Sequence, residues 1–266
     1  MNFGFYNMDC MEGMKQFQDK YFDLAIVDPP YFSGPETKLY YGKSVSTTGV
    51  KRNQSSAKHW EKVNQSYWVE LNRIAKAYIF WGCNYYKKDN NALKKALRQV
   101  RSNAEAEIVL ETFFGFDFHS GRIFWDKVNH GSDFSDGEIA ATNLFDHVRM
   151  FRFMWNGMLQ GKSINEGWIQ QGNKKLNEKR IHSTQKPVAL YHWLLKNYAK
   201  PYFKILDTHV GSASSLIACE GLGFDYVGFE IDNDNYAAAK QRLENWRILP
   251  LFDREYLEES SQYAFI

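Results

Sequence analysis

Six residues from Phe22 to Val27 (FDLAIV) form a nearly continuous apolar run that stops at Asp28 and two prolines. A run this short, apolar on both alternating faces and cut off abruptly, predicts a strand buried on both sides, as in a parallel sheet. The same pattern recurs in AYIFWG at Ala77 to Gly82, RIFW at Arg122 to Trp125, FKIL at Phe203 to Leu206 and YVGF at Tyr226 to Phe229. Between these runs the apolar residues take helical spacing, over Ser66 to Ala75, Ala92 to Val100, Val188 to Ala199, Ser212 to Leu222 and Asn235 to Trp246. Strands alternating with helices predict an α/β fold, a mainly parallel Rossmann-like sheet with helices on both faces. Asn233 or Asp234 is placed to cap the last helix, and Gly221 or Gly223 to end the one before it.

Two long segments break the alternation, Phe32 to Val63 and Lys127 to Ile181. Unstructured stretches of that length inside a compact domain are usually functional insertions. With 266 residues and 44% hydrophobic content, the chain fits a single domain over 1–266 carrying these two insertions. Net charge is only +2, so any case for a polyanionic partner has to come from local clustering. Cys10, Cys83 and Cys219 are too scattered for a disulfide framework or a zinc site, and no metal is expected. Without a charged leader or a long apolar stretch, the expectation is a soluble cytoplasmic protein with no membrane partner.

Two predicted strand ends carry chemistry. Asp28-Pro29-Pro30-Tyr31 follows a buried strand, at the carboxyl end where α/β sheets bind ligands. The prolines fix φ and remove two N–H donors, so the turn is stiff and presents a carboxylate and carbonyl oxygens. Such a turn suits an exocyclic base amine, whose delocalised lone pair makes it a poor nucleophile. Accepting its N–H groups on Asp28 and the Pro29 carbonyl would localise that lone pair and stabilise the positive charge that develops on nitrogen. Tyr31 offers a stacking face worth about 1–3 kcal/mol, comparable to the cost of flipping a base. The second strand end lies in ILDTHVGSASSLIACEGLGFDYVGFEID, where a strand ending at Asp207 is followed by a turn with Gly211, a helix opening near Ser212, and a strand ending at Glu230. The acid falls close to the expected spacing of about 20 residues for a ribose-binding carboxylate. An acid at the head of the turn, in place of a G-x-G-x-x-G phosphate cradle, favours a ligand with an ammonium group over a dinucleotide.

Together these segments resemble the amino-methyltransferases of DNA, in the β-type order that puts the catalytic motif before the cofactor motif. The resemblance spans most of the chain and includes YNMDCMEGM, FDLAIVDPPY, IFWGCNYY, IFWDK, SDGEIA with FRFMW, HSTQKPVAL, and DTHVGSAS through GFEID. It implies S-adenosylmethionine as cofactor, double-stranded DNA as substrate, and Asp28, Pro29, Pro30 and Tyr31 as the turn that holds a flipped base. It also implies that Asp207, His209 and Gly211 line the methionine end of the cofactor, with Glu230 on the ribose and Asp9 near the adenine. Thr184, Lys186 and Pro187 would close over the methionine, and Ser212 and Ile231 join the same cofactor set. Asp9 as a helix cap and Lys186 as a solvated charge are the plainer alternatives.

Relative to the usual D-x-F-x-G-S-G-T, His209 replaces Phe, Ala213 replaces Gly and Ser214 replaces Thr. Ala213 is compatible with a helix start of negative φ, and His209 would add a titratable ring that makes cofactor binding weak or pH-dependent. The leading Asp resembles the adenine-N6 members more than the cytosine-N4 members. Basic residues cluster in both irregular segments, with Lys43, Lys51 and Arg52 in the first and Lys174, Lys175 and Arg180 in the second, where Arg149 and Arg152 are further candidates. The insertions 32–63 and 127–181 are therefore the expected DNA-binding and target-recognition segments. A homodimer and a cognate restriction endonuclease in a bacterial or phage-infected cell are the further partners the resemblance allows. Competing readings are a cytosine-N4 enzyme, a catalytically silent nucleic-acid-binding partner of the same fold, an RNA or protein-amide methyltransferase, and an NAD oxidoreductase.

Overall fold

The computed structural model describes residues 1–31, 61–86, 98–102, 119–130, 135–157, 159–182 and 184–249. In chain order these form β1 (Gly4–Asn7), α1 (Cys10–Met14), β2 (Phe22–Val27), α2 (Gln65–Ile74), β3 (Ala75–Trp81), β4 (Gly121–Asp126), β5 (Gly137–Thr142), β6 (Val148–Arg152), β7 (Trp155–Asn156), β8 (Leu159–Gln160), α3 (Val188–Tyr198), β9 (Lys204–Asp207), α4 (Ser214–Gly221), β10 (Asp225–Glu230) and α5 (Asn233–Arg247). Single 3-10 turns lie at Cys83–Tyr85 and Lys174–Leu176.

Eight strands make one sheet in the order β1-β10-β9-β2-β3-β5-β4-β6. All neighbouring pairs are parallel except those of β5, which runs against both β3 and β4. Continuous apolar runs follow from burial on both faces. In β3, Ile79 and Trp81 join one core with α3, α4 and α5, while Tyr78 and Phe80 join the other with α1 and α2. Each fully buried Leu, Ile or Phe contributes about 1.5–3 kcal/mol, so losing the alternation in any central strand would be severe. The expected mainly parallel sheet with helices on both faces is what forms.

The topology fixes where a ligand would bind. β9 and β2 are adjacent, paired through Leu24 with Ile205 and Ala25 with Leu206. From β9 the chain crosses through α4 to β10 on one side, and from β2 through α2 to β3 on the other. Adjacent strands whose crossovers diverge leave a crevice beyond their carboxyl ends, and the turns at Asp28 and Asp207 flank that crevice.

Some expectations need correction. The segment from Lys127 to Ile181 is not irregular throughout: β5 and β6 belong to the main sheet, and β7 and β8 form a short hairpin. β5 is half-exposed at its start and β6 is an edge strand with Val148 and Met150 exposed, so neither has the fully apolar pattern of a central strand. Asp232, not Asn233 or Asp234, caps α5 by accepting from the amides of Asp234 and Asn235. α4 opens at Ser214, just past the expected Ser212, and Gly223 (φ +72°) is the left-handed residue beyond its end. Most of the segment 32–63 and of the helix expected over 92–100 lies outside the described residues. Among the described residues no helix is long and apolar enough to cross a membrane.

Candidate active site

β2 ends at Val27, so Asp28 is the first residue past the buried strand and its side chain is only 18% exposed. The Tyr31 hydroxyl donates to Asp28 Oδ1, and the buried Lys186 ammonium bonds Oδ2. The Pro30 carbonyl accepts from the Tyr86 hydroxyl at 2.8 Å; among the described residues none donates to the Pro29 carbonyl. The Tyr31 ring stacks on Tyr85, with centroids 4.9 Å apart and planes 10° from parallel. Gly82, in the left-handed region at φ +71°, makes room for that ring, because a Cβ there would overlap it.

A second carboxylate stands opposite Asp28. Glu138 Oε2 lies 2.8 Å from Lys186 Nζ and 3.2 Å from the Tyr31 hydroxyl, and Glu138 Oε1 pairs with Lys127. Because β5 is antiparallel, its first residues sit at the end of the sheet where the parallel strands finish, which brings Glu138 to the site. Burial alone would raise the Glu138 carboxyl, but the ammonium groups of Lys186 and Lys127 outweigh it and hold it at about 2. Burial likewise opposes the Lys186 charge, and the two carboxylates overcome it, raising that ammonium above its ordinary value. Burial raises the Asp28 carboxyl above its ordinary value, against the pull of Lys186 and with the charge of Glu138 adding to the rise.

The loop holding Lys186 is fixed from several sides. Trp155 Nε1 donates to the Gln185 carbonyl at 2.8 Å, and the Gln185 side chain donates to Glu178 and accepts from the Ile181 amide. Glu178 Oε2 then accepts from the Val188 amide at 3.0 Å, satisfying a donor at the start of α3 that Pro187 cannot cap. Lys186 is therefore not a solvated charge, and its ammonium engages the Asp28 turn. Thr184 is exposed and contacts the His182 ring.

The turn after β9 is built differently. Asp207 is buried and accepts from the Ser215 hydroxyl and from the His209 amide at 3.0 Å. Glu230 accepts from the amides of Gly211 and Asp232, each at 2.9 Å, which ties the turn after β9 to the end of β10. Among the described residues no cation pairs with either acid. Burial raises the Asp207 carboxyl to about 7, with Asp28 and Glu230 adding to the effect against the Ser215 and His209 hydrogen bonds, and burial raises Glu230 as well. A Cβ at Gly211 would meet nothing closer than the His209 carbonyl at 4.0 Å, so the space over the turn is open. Ile231, beside Glu230, is exposed. Ser212 is buried, its hydroxyl against that of Ser214. Asp9 caps α1 through the Met11 amide at 2.6 Å, which is the plainer of its two readings.

Two expectations about this turn are reversed. Ala213 lies at φ +63°, the left-handed region and not the negative φ that would make Ala harmless. An L-residue there costs roughly 1–2 kcal/mol. His209 is half-buried, against the Tyr67 ring edge and the Thr208 hydroxyl, and the loss of solvent around it lowers its pKa to about 4. It is a neutral aromatic at physiological pH, as the usual Phe would be.

The basic candidates divide. Lys174, Lys175 and Arg149 are exposed. Arg152 is held by the buried Asp126 at 2.8 Å, and the Arg180 guanidinium lies over the Trp155 ring at 4.3 Å, so neither is uncommitted. Lys43, Lys51 and Arg52 lie outside the described residues. Reasoning from the sequence missed Glu138, Lys127, Ser215, Gly82 and Tyr85. The lone acid in the apolar G-E-I-A-A stretch was the available signal for the first.

Comparison with known proteins follows the same lines. A sequence pattern of a family described as DNA methylase matches residues 22–241. The type II methyltransferase M.HinfI of Haemophilus influenzae is 23% identical over 256 residues, covering 88% of this chain and 66% of that protein, so the chain spans slightly less than two thirds of it. The type II methyltransferase M2.MboI of Moraxella bovis is 24% identical over 277 residues, covering 97% of this chain and 93% of its own. A crystal structure of an M1.HpyAVI-SAM complex, 16% identical, has a TM-score of 0.48 and covers 90% of this chain and 98% of that one.

Proposed function

This chain belongs to the DNA methylase family, and on that premise we propose that it methylates the exocyclic amine of a base flipped out of double-stranded DNA, with adenine N6 as the target. The observation that carries this reading is the pairing of two unlike strand ends in one crevice. One presents a carboxylate with a resident counter-charge that can accept N–H groups, and the other presents a buried acid, Asp207, and a half-buried one, Glu230, that pair with no cation among the described residues.

The acids suit S-adenosylmethionine. A buried carboxylate held at about 7, with Glu230 and Asp28 as its charged neighbours, is electrostatically short of positive charge, and this cofactor carries both an ammonium and a sulfonium. Asp207 would hold its ammonium, Glu230 its ribose, and Ile231 would offer an apolar face beside it. When bound, it supplies an electrophilic methyl group. At the neighbouring turn, Asp28 and the Pro29 carbonyl would accept the two amine protons, localise the nitrogen lone pair and stabilise charge as it builds. Tyr31 would stack on the base, and Lys174, Lys175 and Arg149 would contact phosphates.

A leading Asp in the P-P-Y turn supports adenine over cytosine. Incubating the protein with tritiated S-adenosylmethionine and unmethylated genomic DNA, or in parallel with structured RNA, then digesting to nucleosides for mass spectrometry, should give N6-methyladenine in the DNA. N4-methylcytosine alone would replace the adenine assignment, and label entering only RNA would replace DNA as the substrate. The strained Ala213 favours a second reading, a silent partner that no longer holds cofactor; calorimetry showing no binding at millimolar S-adenosylmethionine would establish it.

A further inference from the structure

Both Asp28 oxygens already accept, one from the Tyr31 hydroxyl and one from Lys186. Each keeps a second lone pair, but an arriving amine must share its acceptor with a donor already there, so its bond strengthens when one of these partners shifts away. Lys186 cannot withdraw into water, because its side chain is 2% exposed. Leaving a buried ammonium without an anion is costly. Glu138 is the one other carboxylate within ion-pair distance of Lys186 among the described residues, and the same Oε2 atom lies within reach of the Tyr31 hydroxyl. With Lys127 on its other oxygen, the four charged groups sum to zero.

Resting on the methyl-transfer reading above, we propose that Glu138 and Lys186 are positioning residues that hold the Asp28 carboxylate in reserve. When a base amine arrives, the ammonium and the Tyr31 hydroxyl pass from Asp28 to the Glu138 oxygen they already contact. Lys186 keeps the catalytic acid charged, and Glu138 lets it be released. The handover is a shift of hydrogen bonds within a closed cluster and needs no proton from solvent. Asp28 is faced by Lys186 from the loop before α3, Glu138 from β5, Tyr31 from its own turn, Tyr191 from α3, Tyr86 after β3 and Asp207 from β9. Lys186 is the sole cation in that set, and Glu138 opposes it.

The two residues should therefore move the pH dependence in opposite directions. The measurement is single-turnover methyl transfer from tritiated S-adenosylmethionine to unmethylated genomic DNA between pH 5.5 and 9.5. Lys186→Met should shift the acid limb upward by about one unit or more, cut the neutral rate at least tenfold, and regain rate at high pH. Lys186→Arg should restore the wild-type limb. Glu138→Gln, close in shape, should move the limb downward and lower the plateau rate at least tenfold, with cofactor affinity within a few-fold, because Lys186 is then locked on Asp28. Lys186→Gln and Glu138→Asp serve if either first variant fails to fold by circular dichroism; the Asp variant should recover part of the plateau. Limbs that stay put, or move the same way in both variants, overturn the handover and leave only a structural role. A wild-type chain that transfers no methyl group, or an Asp28→Ala chain that transfers it normally, overturns the reading of the site and this proposal with it.

Discussion

The ends of β2 and β9 are neighbours in one sheet, yet they treat their acids in opposite ways. Asp28 has a buried ammonium on one oxygen and a hydroxyl on the other. Asp207 has a hydroxyl, a backbone amide and, among the described residues, no cation. A carboxylate that must stay ionised to receive a neutral amine needs its counter-charge built into the protein. A carboxylate that awaits a cationic ligand does better without one, since a resident cation would have to be displaced on binding. The difference supports the proposed assignment of one end to the acceptor and the other to the donor, on grounds independent of any motif.

The largest effect should come from breaking the β2 end. Asp28→Ala removes the group that stabilises charge on the amine, and loss of such a contact in a water-poor site typically costs 10²–10³ in rate. Methyl transfer should fall by at least that factor, while the calorimetric dissociation constant for S-adenosylmethionine stays within a few-fold. Turnover above about a tenth of wild type would mean the carboxylate is not the acceptor.

Asp207→Asn should give the complementary result. Losing a charge-assisted hydrogen bond of about 1.5–3 kcal/mol predicts cofactor binding roughly 10–100-fold weaker. The sign of the pH effect follows from the raised carboxyl. Between its unfolded value near 3.8 and its folded value of about 7, the folded chain binds the proton more tightly than the unfolded chain does. Stability conferred on the cofactor-free protein is therefore lost as pH rises through that window. The Asn variant should lack this loss and melt higher than wild type at pH 8 but not at pH 4. An unchanged difference between the two melting curves would show that Asp207 is charged throughout.

How much of this was legible beforehand depended on which way each strand runs. The parallel strands announce themselves as unbroken apolar runs, because both faces are buried, and their carboxyl ends point to Asp28, Asp207 and Glu230. β5 does not: it is half-exposed at its start, reads as irregular, and delivers Glu138 from an amino end, where no rule for parallel sheets would look. Lys186 was legible as a motif residue but not in its partners, since a lysine in a polar stretch reads as solvated until Trp155 and Glu178 fold the loop inward. His209 and Ala213 were misread for one reason: burial and φ are tertiary properties. The ring's charge state and the alanine's strain follow from the turn's geometry and not from residue type.

Binding measured against pH sharpens the contrast at intermediate magnitude. A cation settling on Asp207 expels its proton, so affinity for S-adenosylmethionine should rise by up to about tenfold per unit as pH climbs toward 7 and then level off. His209→Phe should leave that slope intact, because the imidazole, at about 4, is already neutral across the range. A slope that vanished with the Phe variant and survived Asp207→Asn would assign the titration to the histidine and undo the distinction between the two strand ends.

The smallest effect tests the turn itself. At Gly82 a side chain is excluded by the Tyr31 ring and by positive φ together, whereas at Ala213 the methyl is present despite φ +63°. Ala213→Gly would relieve roughly 1–2 kcal/mol of left-handed strain but return up to about 1 kcal/mol through the greater freedom of glycine in the unfolded chain. The net gain should be about 0.5–1 kcal/mol, a rise in melting temperature of roughly 1–4 °C for a chain of this size. A variant less stable than wild type would mean that the buried Ala213 methyl, packed in the core with Leu216 and Ile217, contributes more than the backbone strain costs, and that the turn has adapted around its alanine.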